Sequence, residues 1–224
     1  NTAILSGDSM LVMAYQLVSQ CPAENLKEVL DLFTATALEI GEGQQYDVDF
    51  EKRLDVRAEE YIEMIRLKTS VLLACAMKLG AIMGGASEKD AQLLYSIGES
   101  VGLAFQLQDD MLDVYGDYET FGKRIGGDIL CNKKTYMLIT ALTQADDKQS
   151  EELQRWISAT DAEPAEKISA VTHIYNELDI PQLALDKINA YFEEAKTALE
   201  SVQVAEEKKH YLWELAEQML GRQS

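Results

Sequence analysis

A chain of 224 residues, 47% of them apolar, can bury the core of one large domain. Its 39 acidic side chains outweigh 20 basic ones to give a net charge of −19, which repels phosphate backbones and excludes nucleic acid as a partner. Three cysteines without paired spacing (Cys21, Cys75, Cys131) and only two histidines argue against disulfides and a zinc site, and for a reducing, cytoplasmic setting.

Met10 to Val18 reads as an apolar helix that stops near Pro22, and Leu26 to Tyr46 carries apolar residues at helical spacing (Leu26, Val29, Leu30, Phe33, Ala37, Ile40). A second such stripe runs from Glu59 to Met83 and ends at Gly84-Gly85. Its most apolar part, from Val71, is broken by Lys78 and too short to span a bilayer. Ser87-x-x-Asp90 resembles a capping box that opens a helix reaching about Tyr115. After a polar loop from Gly116 to Asn132, helices are predicted at Lys134–Gln144, Glu151–Ile157, Ala165–Leu178, Gln182–Val202 and Glu206–Leu220. No run alternates as a strand does, so the fold class is all-α, a bundle of long helices forming a single domain over 1–224. No signal peptide is visible, and the start at Asn1, inside a helix and without methionine, suggests that an N-terminal part is missing.

One acidic motif carries most of the chemistry: Phe105-Gln106-Leu107-Gln108-Asp109-Asp110-Met111-Leu112-Asp113. At about 100° per residue, Asp109 and Asp113 lie about 40° apart on one helix face, with Gln106 about 60° from Asp109. Carboxylates at this spacing suit a hard cation such as magnesium, which keeps waters and takes further oxygens from phosphates. A solvated acidic face is the bland alternative, but this is among the most apolar helices of the chain, where like charges are costly without a cation. A cationic set consists of Lys68-Thr69 in mid-helix and of Lys123 and Lys133 in the loop after the acidic helix. Ordinary solvated loop lysines are an equal reading of the latter two. Gly41-x-Gly43-Gln44-Gln45-Tyr46-Asp47 places glycines inside a helical pattern, which indicates either close packing or a helix end.

In chain order, Leu5-Ser6-Gly7-Asp8, Gly43-Gln44-x-x-Asp47, Lys68-Thr69, Phe105-Gln106-x-x-Asp109-Asp110-x-x-Asp113 and Gly122-Lys123 through Asp128 to Lys133 resemble the trans-prenyl diphosphate synthases. The resemblance covers about residues 4 to 140. It implies the isoprenoid synthase fold around a central cavity, a homodimer, and condensation of an allylic diphosphate with isopentenyl diphosphate. It also implies three Mg2+ ions, held by Asp109, Asp110 and Asp113 together with a second aspartate-rich helix. Lys68, Lys123 and Lys133 would hold the allylic diphosphate, Thr69 and Gln106 would face the developing cation, and Gln44 and Asp47 would line the cavity. The first aspartate-rich motif and the basic residues for isopentenyl diphosphate are absent, so residues 1–224 alone are expected to be inert. A non-catalytic regulatory subunit or scaffold, and less favourably a terpene cyclase, are the competing readings.

Overall fold

The computed structural model describes residues 1–116 and 125–220, and among these every regular element is helical. In chain order they are α1 (Thr2–Val18), α2 (Leu26–Phe50), α3 (Ala58–Ile65), a π turn (Arg66–Ser70), α4 (Val71–Met83), α5 (Glu88–Tyr115), α6 (Gly127–Leu130), α7 (Tyr136–Gln144), α8 (Asp147–Ser158), α9 (Pro164–Glu177), α10 (Ile180–Ser201) and α11 (Glu206–Leu220). None of the described helices is long and apolar enough to cross a membrane.

Two expectations change in detail. The stripe from Glu59 to Met83 is interrupted: Val71 N–H bonds to the Arg66 carbonyl five residues back, opening a wide turn between α3 and α4. At the start of α5 the Ser87 hydroxyl accepts the Asp90 N–H, as an N-cap does. The Asp90 carboxylate, however, accepts the Ser87 hydroxyl and the distant Gln203 N–H, tying α5 to the end of α10 instead of closing a reciprocal box. The predicted loop from Gly116 to Asn132 contains the one-turn helix α6, and its residues 117–124 lie outside the described residues.

Helix α5 is the centre of the bundle, with α4 packed along one side and α10 along another. Its apolar side chains feed four cores, one of them through Ala91 against Val29, Ala81 and Ile82. Leu103, Ala104 and Leu107 meet Tyr61, Met64 and Ile65 of α3; Val114 meets Met137, Val171 and Ile174; Ile97 and Val101 meet Ala195 and Leu199. Burial of this kind supplies the main favourable contribution to folding.

The π turn is clasped between two glycines. A Cβ on Gly43 of α2 would lie 2.4 Å from the Lys68 amide nitrogen, and one on Gly102 of α5 would lie 2.6 Å from the Ser70 Cα. The glycines thus let two helices close directly onto the backbone of the turn. Gly41, one residue pair earlier, has open space where its Cβ would be. Gly43→Ala is expected to lower the unfolding free energy by about 1–3 kcal/mol through overpacking. Gly41→Ala should instead leave it unchanged or raise it by up to about 1 kcal/mol, the ordinary gain of alanine in a helix. Urea unfolding of the two variants checks the contrast.

Candidate functional site

The π turn carries the adjacent residues Lys68 and Thr69, which reach in different directions. Lys68 Nζ pairs with Asp47 Oδ2 of α2 at 2.5 Å, while Thr69 Oγ1 donates to Gln106 Oε1 of α5 at 3.2 Å. With its hydrogen committed to Gln106, the Thr69 oxygen keeps its lone pairs for the space between the helices.

Asp110 lies one turn beyond Gln106 and is only 1% exposed. Its Oδ2 accepts the Tyr61 hydroxyl, and its Oδ1 accepts Gln106 Nε2 and Lys133 Nζ, each at 3.3 Å. Burial pushes the Asp110 carboxyl up to about 6, against the opposing pull of Lys133 and Tyr61. Burial and the neighbouring Asp110 charge likewise hold the Tyr61 hydroxyl well above its ordinary range, so it remains a donor. Burial alone would lower the pKa of Lys133, but Asp110 and Asp128 outweigh it and keep the ammonium charged above its usual range.

Asp109 and Asp113 flank this buried carboxylate on α5, and both are partly exposed. Asp113 Oδ2 accepts the Asp128 N–H at 2.8 Å, and the Asp113 carbonyl accepts the Gly126 N–H. This fixes the start of α6 to the acidic helix. Burial raises the Asp113 carboxyl above its usual value, opposed by the Asp128 amide. At the other end of α6 Lys133 Nζ returns to Asp128 Oδ2 at 3.2 Å. Carboxylates for a cation and ammonium groups for an anion therefore stand side by side, the pairing that a metal-bound phosphate requires.

The sequence profile described as polyprenyl synthetase matches residues 1–177. The chain belongs to the polyprenyl synthetase family. It is 45% identical over 152 residues to the short chain isoprenyl diphosphate synthase of Methanothermobacter thermautotrophicus, covering 67% of this chain and 47% of that protein. A solved geranylgeranyl pyrophosphate synthase superposes with a TM-score of 0.93 at 42% identity, covering 100% of this chain and 69% of that one. A polyprenyl synthase from Caulobacter crescentus CB15, solved in complex with calcium and isoprenyl diphosphate, superposes with a TM-score of 0.87 at 28% identity, covering 100% and 66%. The chain thus spans under half of that curated relative and about two thirds of the two solved chains. It has the all-α isoprenoid synthase fold of its family.

Of the polyprenyl synthetase residues singled out in the sequence, the structure gathers Asp47, Lys68, Thr69, Gln106, Asp110 and Lys133 into one connected set. Both oxygens of the buried Asp110 are turned to protein donors. Gln44 is exposed on α2, and among the described residues no hydrogen bond ties it to this set. Lys123 lies outside the described residues. Tyr61 was missed by sequence reasoning because it falls on the apolar stripe of α3. The available signal was chemical: a tyrosine buried on such a stripe needs a partner for its hydroxyl. Asp128 belongs to a motif already noted, but its bridge between Asp113 and Lys133 depends on the turn that brings the chain back.

Tyr61→Phe removes one of the three donors to a buried carboxylate. We expect a loss of about 1–3 kcal/mol in unfolding free energy, the range for leaving such a group short of a partner. Denaturant titration checks it, and an unchanged midpoint would show that the contact contributes nothing.

Proposed function

We propose that this polyprenyl synthetase, in its whole polypeptide, is a prenyltransferase that condenses an allylic diphosphate with isopentenyl diphosphate, giving a longer trans-prenyl diphosphate and free diphosphate. The observation that carries the reading is the linked set in which Lys133 pairs with Asp110 of α5 while Lys68, next to the Thr69 that bonds Gln106 of α5, pairs with Asp47 of α2. In a chain of net charge −19, lysines held by such carboxylates suit an anion that arrives with its own cations.

The donor chemistry fits magnesium. Asp109 and Asp113 are oxygen ligands one turn apart, whereas among the described residues no group of three acidic, cysteine or histidine side chains is arranged to hold an ion alone. A cation that fills its coordination sphere with water and substrate oxygens matches that pair. Asp109 and Asp113 would hold the ions, with Asp110 behind them as the counter-charge that sets Lys133. Bound there, magnesium neutralises the diphosphate and makes it a competent leaving group.

The remaining steps belong to the side chains. Lys68, Lys133 and, from the sequence motif, Lys123 hold the allylic diphosphate, so negative charge gathering on it as the C–O bond breaks meets fixed ammonium groups. Thr69 and Gln106 oxygens face the allylic carbons, where their dipoles favour positive charge. Gln44 and Asp47 would line the cavity that holds the substrate. Attack by the isopentenyl double bond and loss of a proton then restore the alkene. A cytoplasmic homodimer completes the reading. The dimer is supported by α1, which has no buried residue and exposes Leu5, Met10, Val12, Met13 and Leu17, an apolar surface of the kind that assemblies cover.

The test is a condensation assay on the product of the whole gene, supplied with isopentenyl diphosphate and allylic diphosphates of five, ten or fifteen carbons. Diphosphate release with a lengthened prenyl product is expected with magnesium and not with EDTA. Lys68→Ala and Asp109→Ala should each lower kcat/KM by about a hundredfold or more, the scale for removing a charge that stabilises the transition state. No turnover by the wild type with any primer would overturn the proposal.

A further inference from the structure

The backbone that presents Lys133 is held from the second half of the chain, where the sequence motifs end. Helix α6 closes in a Schellman arrangement: Lys133 N–H donates to the Asp128 carbonyl at 3.0 Å and Asn132 N–H to the Ile129 carbonyl at 3.2 Å. Cys131 N–H satisfies the Gly127 carbonyl. The fourth and last carbonyl of the turn, that of Leu130, faces Lys167 Nζ of α9 at 3.5 Å. Asn132 occupies the left-handed position of this motif, with φ of 54°, where glycine is the usual residue. Its side chain gives the reason. Asn132 Oδ1 accepts Lys167 Nζ at 2.7 Å, and Asn132 Nδ2 donates to the Ile157 carbonyl at the end of α8 at 3.0 Å. Lys134 Nζ donates to the Asn132 carbonyl as well, at 3.0 Å.

Both lysines are nearly buried, Lys167 at 5% and Lys134 at 8% exposure, and burial lowers the pKa of each. Among the described residues neither has a carboxylate within ion-pair distance, in a chain with 39 acidic side chains. A buried ammonium without a counter-ion is costly, and an apolar side chain of similar length beside Ile129 and Val171 would be the cheaper occupant. The cavity next to Lys167 measures about 10 Å³, barely the space of one water, so the ammonium has scant room to swing away from Asn132. What it touches is the end of α6 and the residue immediately before Lys133.

We propose that Lys167 is a positioning residue, acting through Asn132 to fix the backbone at Lys133 and hence the place of the Lys133 ammonium in the diphosphate site. This rests on the reading of Lys133 as a diphosphate-binding residue. Lys133 is the residue that closes the Schellman turn, so a turn loosened at Asn132 moves it directly.

The experiment compares Asn132→Gly, Lys167→Met, Lys167→Arg, Lys133→Met and the double variant Lys133→Met/Lys167→Met in the product of the whole gene. Asn132→Gly keeps the left-handed backbone and deletes only the side chain that Lys167 grips, so it serves even if Lys167→Met folds poorly. Asn132→Gly and Lys167→Met should each raise the KM for the allylic diphosphate roughly tenfold, on the scale of small misplacements of a binding group. The KM for isopentenyl diphosphate should stay close to wild type, and Lys167→Arg should recover part of the loss. In the Lys133→Met background, Lys167→Met should add no further effect. An unchanged KM in both single variants, or additive effects in the double variant, would overturn the positioning role. Wild-type allylic affinity in Lys133→Met would instead overturn the underlying reading of Lys133.

Discussion

A carboxylate withdrawn from water at the centre of a helical bundle needs donors from several directions, and around Asp110 three separate elements supply them. Tyr61 comes from α3, Gln106 from the preceding turn of α5, and Lys133 from the segment after α6. Two of the donors are committed elsewhere in turn: Gln106 accepts the Thr69 hydroxyl, and Lys133 also pairs with Asp128. The geometry of the polar set is therefore over-determined. Moving any one member leaves a buried charge or amide short of a partner, at a cost that low local dielectric enlarges.

The backbone answers the same requirement by departing from regularity at two places. The π turn widens the helix where Lys68 and Thr69 must reach different neighbours, and Gly43 and Gly102 bring α2 and α5 close enough to be reached. Near Lys133 a single helical turn is tied at one end to Asp113 and at the other to Asn132 and Lys167. Irregular backbone costs stability, and here it falls on two segments that present lysines.

The long helices were legible because their apolar periodicity is strong and their ends carry ordinary signals: Pro22 follows α1, Gly84-Gly85 ends α4, and Pro164 opens α9. The acidic face of α5 was legible for the same reason, since helical spacing fixes where Asp109 and Asp113 point. The π turn was not, because one added residue leaves the apolar stripe of Glu59 to Met83 almost unchanged. The buried contacts of Tyr61 with Asp110 and of Lys167 with Asn132 were hidden for a different reason: each pair is separated by a long stretch of chain, and no local pattern encodes such contacts. Asn132 looked like a loop residue, and only its left-handed backbone and two side-chain bonds reveal why it is not glycine.

Lys68 is not an idle cation waiting for a ligand, because Asp47 already neutralises it. If the proposed diphosphate binds at Lys68, it competes with Asp47, so recognition at this point is an exchange of partners and not the formation of a new pair. The affinity gained there is only the difference between two ion pairs, which disfavours weakly charged anions that cannot outcompete a carboxylate already in contact. On the proposed reading, the Asp47 carboxylate released by that exchange would be at hand to reclaim Lys68 and help the spent diphosphate leave.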